Sequence, residues 1–342
     1  MRKLIGKKID ALLSIVIIAM LLPLFITTIC QRMQLEEIIY GELQVTESGQ
    51  NKNLGQGEIG TSAVETGAGQ AESKADEAED KTRQIETDSA QIEEQVLAIV
   101  ANEIGMDAPK QAILAQCVIA RTNLYDAKLR GIAEPQQMNV EEMRKLWGED
   151  FEKVHSQLEE YVAQTKEQVL SWKGSCIYAA YHAISAGETR DMTELYEDAK
   201  MPYLIAQSCN ADVTAEGYLS VSYEETESFL QKCAEGFPEN PPQSIADIVV
   251  NQRDEAGYVM EVSVGGKTYT GEEFRSRLGL NSACFTVTEL DGKARIVTKG
   301  LGHGVGLSQY TAESMASEGK NYEEILVYFY PGTKLVNVSE IK

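Results

Sequence analysis

Glu103 stands at the end of an apolar stripe. Ile92, Val96, Ile99 and Val100 recur at the three- and four-residue spacing of one helix face. Glu103 falls three and four residues after Val100 and Ile99, so the same spacing turns its carboxyl toward the buried side. Two outcomes are open. The side chain swings out to water, the ordinary fate of a glutamate at a helix end. Alternatively it stays partly desolvated, which raises its pKa toward the range a general acid needs. Arg121, between Val118 and Tyr125 on the next apolar stripe, either makes a structural ion pair or holds an anionic substrate group. His182 stands where a predicted strand runs into the small polar loop of Ser185, Gly187 and Thr189. Loops at strand ends commonly carry chemistry, although a hydrogen-bonded structural histidine fits as well. The fourth cluster is residues 300–310. Glycines 300, 302, 304 and 306 surround His303, and Ser308, Gln309 and Tyr310 follow. That density implies a ligand lying close to the backbone or a tight strand-to-helix crossing. The spacing is neither the dinucleotide fingerprint nor a phosphate-binding loop.

Several elements must position these groups. Asp88, Ser89 and Gln91 read as an N-cap signal for the helix that ends at Glu103, and Gly105 as its stop. Asp107 to Pro109 start a second helix carrying Ile113, Leu114, Cys117, Val118 and Leu124. Asn139 with Glu142 predicts another cap, followed by amphipathic helix through Val162. Residues 169–172 and 176–183 read as two strands around Lys173-Gly174. A helix is predicted near residues 224–233. Hairpins are predicted at 258–270 around Gly265-Gly266 and at 285–298 around Asp291-Gly292. Helices from Tyr310 and from Asn321 complete the chain. The pattern predicts an α+β fold in which helices and antiparallel β-hairpins surround a cleft.

The N-terminal part has a different character. Residues 11–29 are uncharged and almost wholly apolar, and as a helix would span roughly 28 Å. Arg2, Lys3, Lys7 and Lys8 precede them, so an uncleaved single-pass anchor is expected, with the N-terminus cytoplasmic and the rest extracytoplasmic. A cleaved signal peptide is the rival, but no small-x-small site follows the run. Residues 41–90 are polar and expected to be a flexible acidic tether reaching roughly 40 Å. The expected organisation is therefore residues 1–30 as tip and anchor, 31–90 as membrane-proximal segment and linker, and 91–342 as the main domain. A net charge of −22 over 342 residues argues against a nucleic-acid partner. Six cysteines are too few for a disulfide scaffold, so mostly buried thiols are expected, with at most one or two bridges.

With the elements placed, the chain resembles the SpoIID/LytB family over about residues 92–336. Residues 96–104 resemble its Ala-Ala-Glu-Met helix, and residues 112–125, with Ala-Arg-Thr, resemble its partner helix. Residues 181–189 resemble its Phe-His-Ser-x-Ser-x-Gly-x-Thr loop. Residues 302–310, 321–326 and 330–333 resemble its C-terminal signature. The resemblance implies a lytic transglycosylase acting on peptide-stripped peptidoglycan strands in septal wall remodelling and engulfment during sporulation. Glu103 would be its acid/base. Arg121, His182, Ser185, Thr189, His303, Gln309 and Tyr310 would position substrate, with the glycines admitting a sugar chain. It also implies a sporulation amidase and a membrane scaffold protein as partners. A non-catalytic wall-binding enhancer of an amidase is the alternative within the same family. Asn102 replaces the usual small residue before the glutamate, and Ile104-Gly105 replaces Met-Pro. No cofactor is expected. Some members bind zinc through a His-Cys cluster; residues 130–175 here hold no cysteine and only His155, and Cys176, His182 and Cys209 lack ligand spacing, so no metal is expected.

Overall fold

The computed structural model describes residues 74–195 and 201–341, with side chains from residue 89 onward. The apolar run at 11–29 and most of the expected tether lie outside the described residues. Among those described, no helix is long and apolar enough to cross a membrane.

Helix α1 (Lys74–Glu103) is longer than its sequence signal, which placed the start near residue 90. Residues 74–87 lack an apolar face but are rich in good helix formers. Glu77 and Glu79 precede Lys81 and Arg83 by four residues, a spacing that favours helix. The tether expected to reach residue 90 therefore gives way to helix at Lys74. Its last turns pack on α2 (Lys110–Arg130), which is buried continuously from Ala112 to Leu124 and is the central helix of the domain. Gly131, at φ 65, closes it with an amide donating to the Ala127 carbonyl. A complete capping box at Asn139 and Glu142 starts α3 (Val140–Trp147), as its sequence predicts, and α4 (Phe151–Gln164) follows. Val96, Ile99, Val100, Ile113, Cys117, Leu124, Leu158 and Val162 join these helices in one core.

Among the described residues, the strands form four small sheets. β1 (Gln168–Trp172) lies between β2 (Ser175–Cys176) and the late β11 (Lys334–Asn337). The strand expected over 176–183 is interrupted. Ile177 donates to the Leu170 carbonyl, and Tyr178 to the Tyr203 hydroxyl. The Asn123 amide both accepts from the Ala179 N–H (2.7 Å) and donates to its carbonyl (3.0 Å). A buried side chain thus substitutes for a neighbouring strand and satisfies the backbone there. Beyond the break, β3 (Tyr181–His182) pairs in parallel with β10 (Leu307–Ser308).

Residues 219–299 form a second lobe. β4 (Leu219–Glu225), β8 (Phe285–Leu290) and β9 (Lys293–Lys299) make one antiparallel sheet, ordered β4-β9-β8. β5 (Ile248–Arg253), β6 (Val259–Val264) and β7 (Lys267–Thr270) make another. Helices α5 (Thr226–Gly236) and α6 (Gly271–Leu278) share their core. Phe237, Phe274 and Phe285 stack there, with centroids 5.6 and 4.6 Å apart. Both predicted hairpins are present. β4 occupies part of the stretch predicted as helix, because α5 begins only at Thr226. Two final helices, α7 (Gln309–Ser317) and α8 (Tyr322–Phe329), return the chain to the first lobe. The described chain is α+β.

Candidate functional site: a carboxyl at the end of α1

Helix α1 ends just before Gly105, and this leaves Glu103 on its last turn, half-buried. Asn102 Nδ2 donates to Glu103 Oε1 at 2.8 Å, and the Tyr181 side chain also hydrogen-bonds the carboxyl. Burial pushes the Glu103 pKa above the usual carboxylate range, partly offset by the Asn102 and Tyr181 hydrogen bonds, which favour the charged form. Gln309 holds the other side of the residue: its Nε2 donates to the Glu103 carbonyl (3.0 Å) and to Gln116 Oε1 (3.4 Å). The carboxyl is thus set between the start of α7 and β3, on a backbone that is itself pinned.

What holds α7 and β3 in place is a buried carboxylate without a sequence motif. Asp212 accepts from the Ser185 amide (2.6 Å), from Ser308 Oγ (2.8 and 2.9 Å) and from Thr311 Oγ1 (2.7 Å). Ser308 is also the N-cap of α7, accepting from the Thr311 amide. One side chain therefore ties the 185–189 loop to the start of the helix that carries Gln309.

The glycines serve this crossing, which corrects the expectation that they admit a sugar chain. Gly306, at φ 71, lies so close to β3 that an added Cβ would fall 2.0 Å from the Ala180 carbonyl oxygen. At Gly304, φ 83, an added Cβ would fall 2.4 Å from the Tyr258 hydroxyl. Protein atoms fill the space that side chains would occupy. The parallel β3–β10 pair can form only because the backbone approaches this closely.

The remaining candidates divide by exposure. Gln309, which contacts Glu103, and Tyr310 are half-buried, with the Tyr310 amide donating to the Ala183 carbonyl (3.1 Å). His182 and His303 are buried with ring centroids 5.7 Å apart. His182 Nδ1 faces the Val305 carbonyl at 3.1 Å and must therefore carry the proton, while its Nε2 has no hydrogen-bond partner. His303 Nδ1 accepts from the Val305 amide (3.0 Å), the opposite tautomer, and the ring also hydrogen-bonds the Tyr181 backbone. Burial holds both imidazoles neutral. It lowers His182 to about 4, against the opposing effect of Asp212, and takes His303 well below its usual value. Among the described residues, no group of three or more His, Cys, Asp or Glu side chains is arranged to hold a metal ion.

Ser185 Oγ accepts from the Gly187 amide, and Thr189 Oγ1 bridges Ile205 and Gln207. Both are buried and shape the loop from within. Arg121 is not brought to Glu103. Its guanidinium is fully buried against Glu93, with Nη2 2.6 Å from Oε2. Its other N–H groups go to Thr165 and to the Cys117, Val162 and Gln168 carbonyls. No donor is left for an anionic ligand, so the geometry corrects the substrate-holding expectation in favour of the structural ion pair. Arg190, not singled out from sequence, is a second buried cation. It pairs with Asp254 (2.6 Å) and Glu272 (2.8 Å) of the second lobe and donates to the His303 carbonyl. The five described cysteines are free thiols, four of them buried, and burial raises Cys117, Cys176, Cys209 and Cys233 to about 12.

The first of these elements match a known class: residues 78–172, which include the helix-end carboxyl, match the SpoIID family model described as Stage II sporulation protein. Among individual proteins, the chain is 29% identical to Stage II sporulation protein D of Bacillus subtilis over 266 residues, covering 71% of this chain and 73% of that protein. It is also 29% identical to the protein of the same name from Bacillus amyloliquefaciens over 261 residues, covering 72% of this chain and 74% of that one. The Amidase enhancer of Bacillus subtilis is 27% identical over 290 residues, covering 70% of this chain but 40% of that protein.

Proposed function

We propose that the protein is a lytic transglycosylase of peptidoglycan glycan strands, used in wall remodelling during sporulation, with Glu103 as its acid/base. The observation that carries this reading is the half-buried Glu103 carboxyl, raised in pKa and held by Asn102 and Tyr181. A protonated Glu103 donates to the glycosidic oxygen as the C1–O bond breaks. The resulting carboxylate then takes the proton from the muramic C6 hydroxyl as that oxygen bonds to C1 and closes a 1,6-anhydro ring. One carboxyl suffices because an intramolecular hydroxyl replaces the water that hydrolases activate with a second carboxylate. The Asn102 and Tyr181 hydrogen bonds favour the carboxylate half of the cycle, and burial favours the acid half. In this reading Gln309, which donates to the Glu103 carbonyl, and the adjacent Tyr310 position the substrate. His182, Ser185, Thr189 and His303 hold the loop and crossing beneath it.

Residues 11–29 serve as the membrane anchor in this reading, residues 31–90 lead from it, and residues 91–342 work on the outer wall. An amidase and a membrane scaffold protein are its partners. The test is mass spectrometry of products from peptide-free glycan strands. Anhydro-ended sugars are expected from the wild type and a loss of about 10²–10⁴-fold in rate from Glu103→Gln. Equal release by both proteins, or by neither, refutes the enzyme reading. The second reading, a non-catalytic wall-binding enhancer, is favoured by the likeness to the Amidase enhancer. It predicts no anhydro products and a faster amidase in mixed digests.

A further inference from the structure

Three turns of α1 before Glu103, the helix borders a cavity of about 690 Å³, a size typical of small-molecule sites. Gln91 and Ile92 of α1 line it, with Tyr125 and Lys128 of α2, Glu167 before β1, and Asn337 at the end of β11. Eleven residues of helix separate Ile92 from Glu103, roughly 16 Å along the axis. The cavity is therefore distinct from the carboxyl site.

Two side chains of its wall, Glu167 and Tyr125, carry polar atoms that pair with no described residue. Glu167 sits in the left-handed region at φ 63. Two other non-glycine residues there, Lys173 and Asp291, each precede a glycine in a hairpin turn, whereas Glu167 precedes Gln168. Glu167 is the third residue of the tight turn between α4 and β1, in which the Gln168 amide donates to the Thr165 carbonyl (3.0 Å), and left-handed backbone there costs a residue with a Cβ about 1–2 kcal/mol. The surroundings enforce it. The Glu167 amide donates to Glu93 (3.4 Å), its carbonyl accepts from the Val338 amide (2.8 Å), and its Oε2 accepts from Asn337 Nδ2 (3.1 Å). This leaves Oε1 without a hydrogen-bond partner among the described residues. The second side chain is Tyr125, half-buried, whose hydroxyl makes no hydrogen bond among them. Burial, then the carboxylate of Glu93, raises its pKa against the opposing charge of Arg121.

We infer that this cavity is a second carbohydrate-binding site, taking one or two neutral, hydroxyl- and acetamido-bearing sugar residues. An aromatic ring offers a face to the C–H side of a pyranose. A carboxylate oxygen, a phenol and the amide of Gln91 offer acceptors and donors to its hydroxyl edge. The charge pattern excludes an anionic ligand: Lys128 is already paired with Glu134 at 2.7 Å, and Glu167 presents a negative charge. Two sugar contacts on one rigid helix would hold the protein on a strand between catalytic events by raising the effective concentration of the second contact. The inference shares its substrate class with the reading of Glu103 but uses none of the residues placed around that carboxyl.

The test is calorimetric binding of chitotetraose to the full-length chain carrying Glu103→Gln, with polyglutamate as the anionic control. Saturable binding of the sugar and none of polyglutamate is expected. Adding Glu167→Gly removes the carboxylate and relieves the left-handed strain, so the affinity should fall about ten-fold while Tm stays at or above that of the parent. Adding Tyr125→Phe keeps the ring and loses the hydroxyl, with an expected loss of several-fold. Affinities unchanged by both substitutions, or no sugar binding by the parent, overturn the inference. Release of anhydro ends by the wild type in that case would leave the Glu103 reading standing.

Discussion

Glutamine at position 103 keeps the volume and most of the hydrogen bonding of the native side chain and removes only its ionisation. Because burial raises the folded-state pKa of Glu103, folding favours the protonated form. The associated stability is fully present below the unfolded value and is lost as pH rises through the folded pKa. The Glu103→Gln protein should therefore melt higher than wild type at pH 7 and no higher at pH 4, as read by calorimetry. A carboxyl whose burial costs stability is the expected signature of a functional position. Arg121 makes the opposite case. It is fully buried and spends its donors on Glu93 and nearby carbonyls. Arg121→Met should lower stability by about 3 kcal/mol, because it leaves Glu93 unpaired, while KM for glycan stays within two-fold in whatever protein remains folded. A large rise in KM at unchanged Tm would return Arg121 to the substrate.

Between elements, the decisive contacts join the 185–189 loop, β10 and the start of α7. Asp212 collects an amide and two hydroxyls from them at 2.6–2.9 Å. Asp212→Ala leaves three donors unmatched and should cost at least about 3 kcal/mol in denaturant titrations. Gly306→Ala places a Cβ on the Ala180 carbonyl and should be at least as damaging, since the atom it meets is backbone and cannot move aside. Ser308→Ala, which removes one cap and one of the Asp212 donors, should be milder than either. If Gly306→Ala melts like wild type, the close crossing of β3 and β10 is not the constraint described. The helix carrying Glu103 was legible from the periodicity of Ile92, Val96, Ile99 and Val100, because burial against a neighbour leaves a 3.6-residue trace. The Asp212 hub leaves no such trace, since its partners lie 27, 96 and 99 residues away.

At the scale of the molecule, the second lobe touches the site through buried charge. Arg190, at the end of the 185–189 loop, reaches Asp254 and Glu272 across the lobe boundary and supports the His303 carbonyl. Nearby, His182 and His303 are buried as neutral imidazoles. Their unfolded forms take up protons below pH 6.5, whereas folded His182 does so only near 4. The unfolded state then binds more protons, so stability falls as pH drops from 6.5 toward 4. The melting temperature should decline across that window, and His182→Asn, which charges in neither state, should flatten the decline even if it melts lower at pH 7. An equally steep decline in the variant would move the acid sensitivity elsewhere.

Sequence alone determined what depends on neighbours in the chain. Helix periods, the Asn139 and Asn321 capping boxes, the Gly265-Gly266 and Asp291-Gly292 hairpins and the place of Glu103 at the end of an apolar stripe are all set within about a dozen residues. It could not determine which partners meet across the fold. Whether Arg121 faced substrate or Glu93 was undecided by spacing, because both outcomes place an arginine at the edge of an apolar stripe. The same holds for the glycines of 300–306, which need close approach of something, and only the tertiary structure decided that the something is Ala180 and Tyr258 of the protein itself. The Glu103 carboxyl stands between these cases. Its place came from the helix, but its protonation is set by how far Tyr181, Asn102 and the start of α7 exclude water from it.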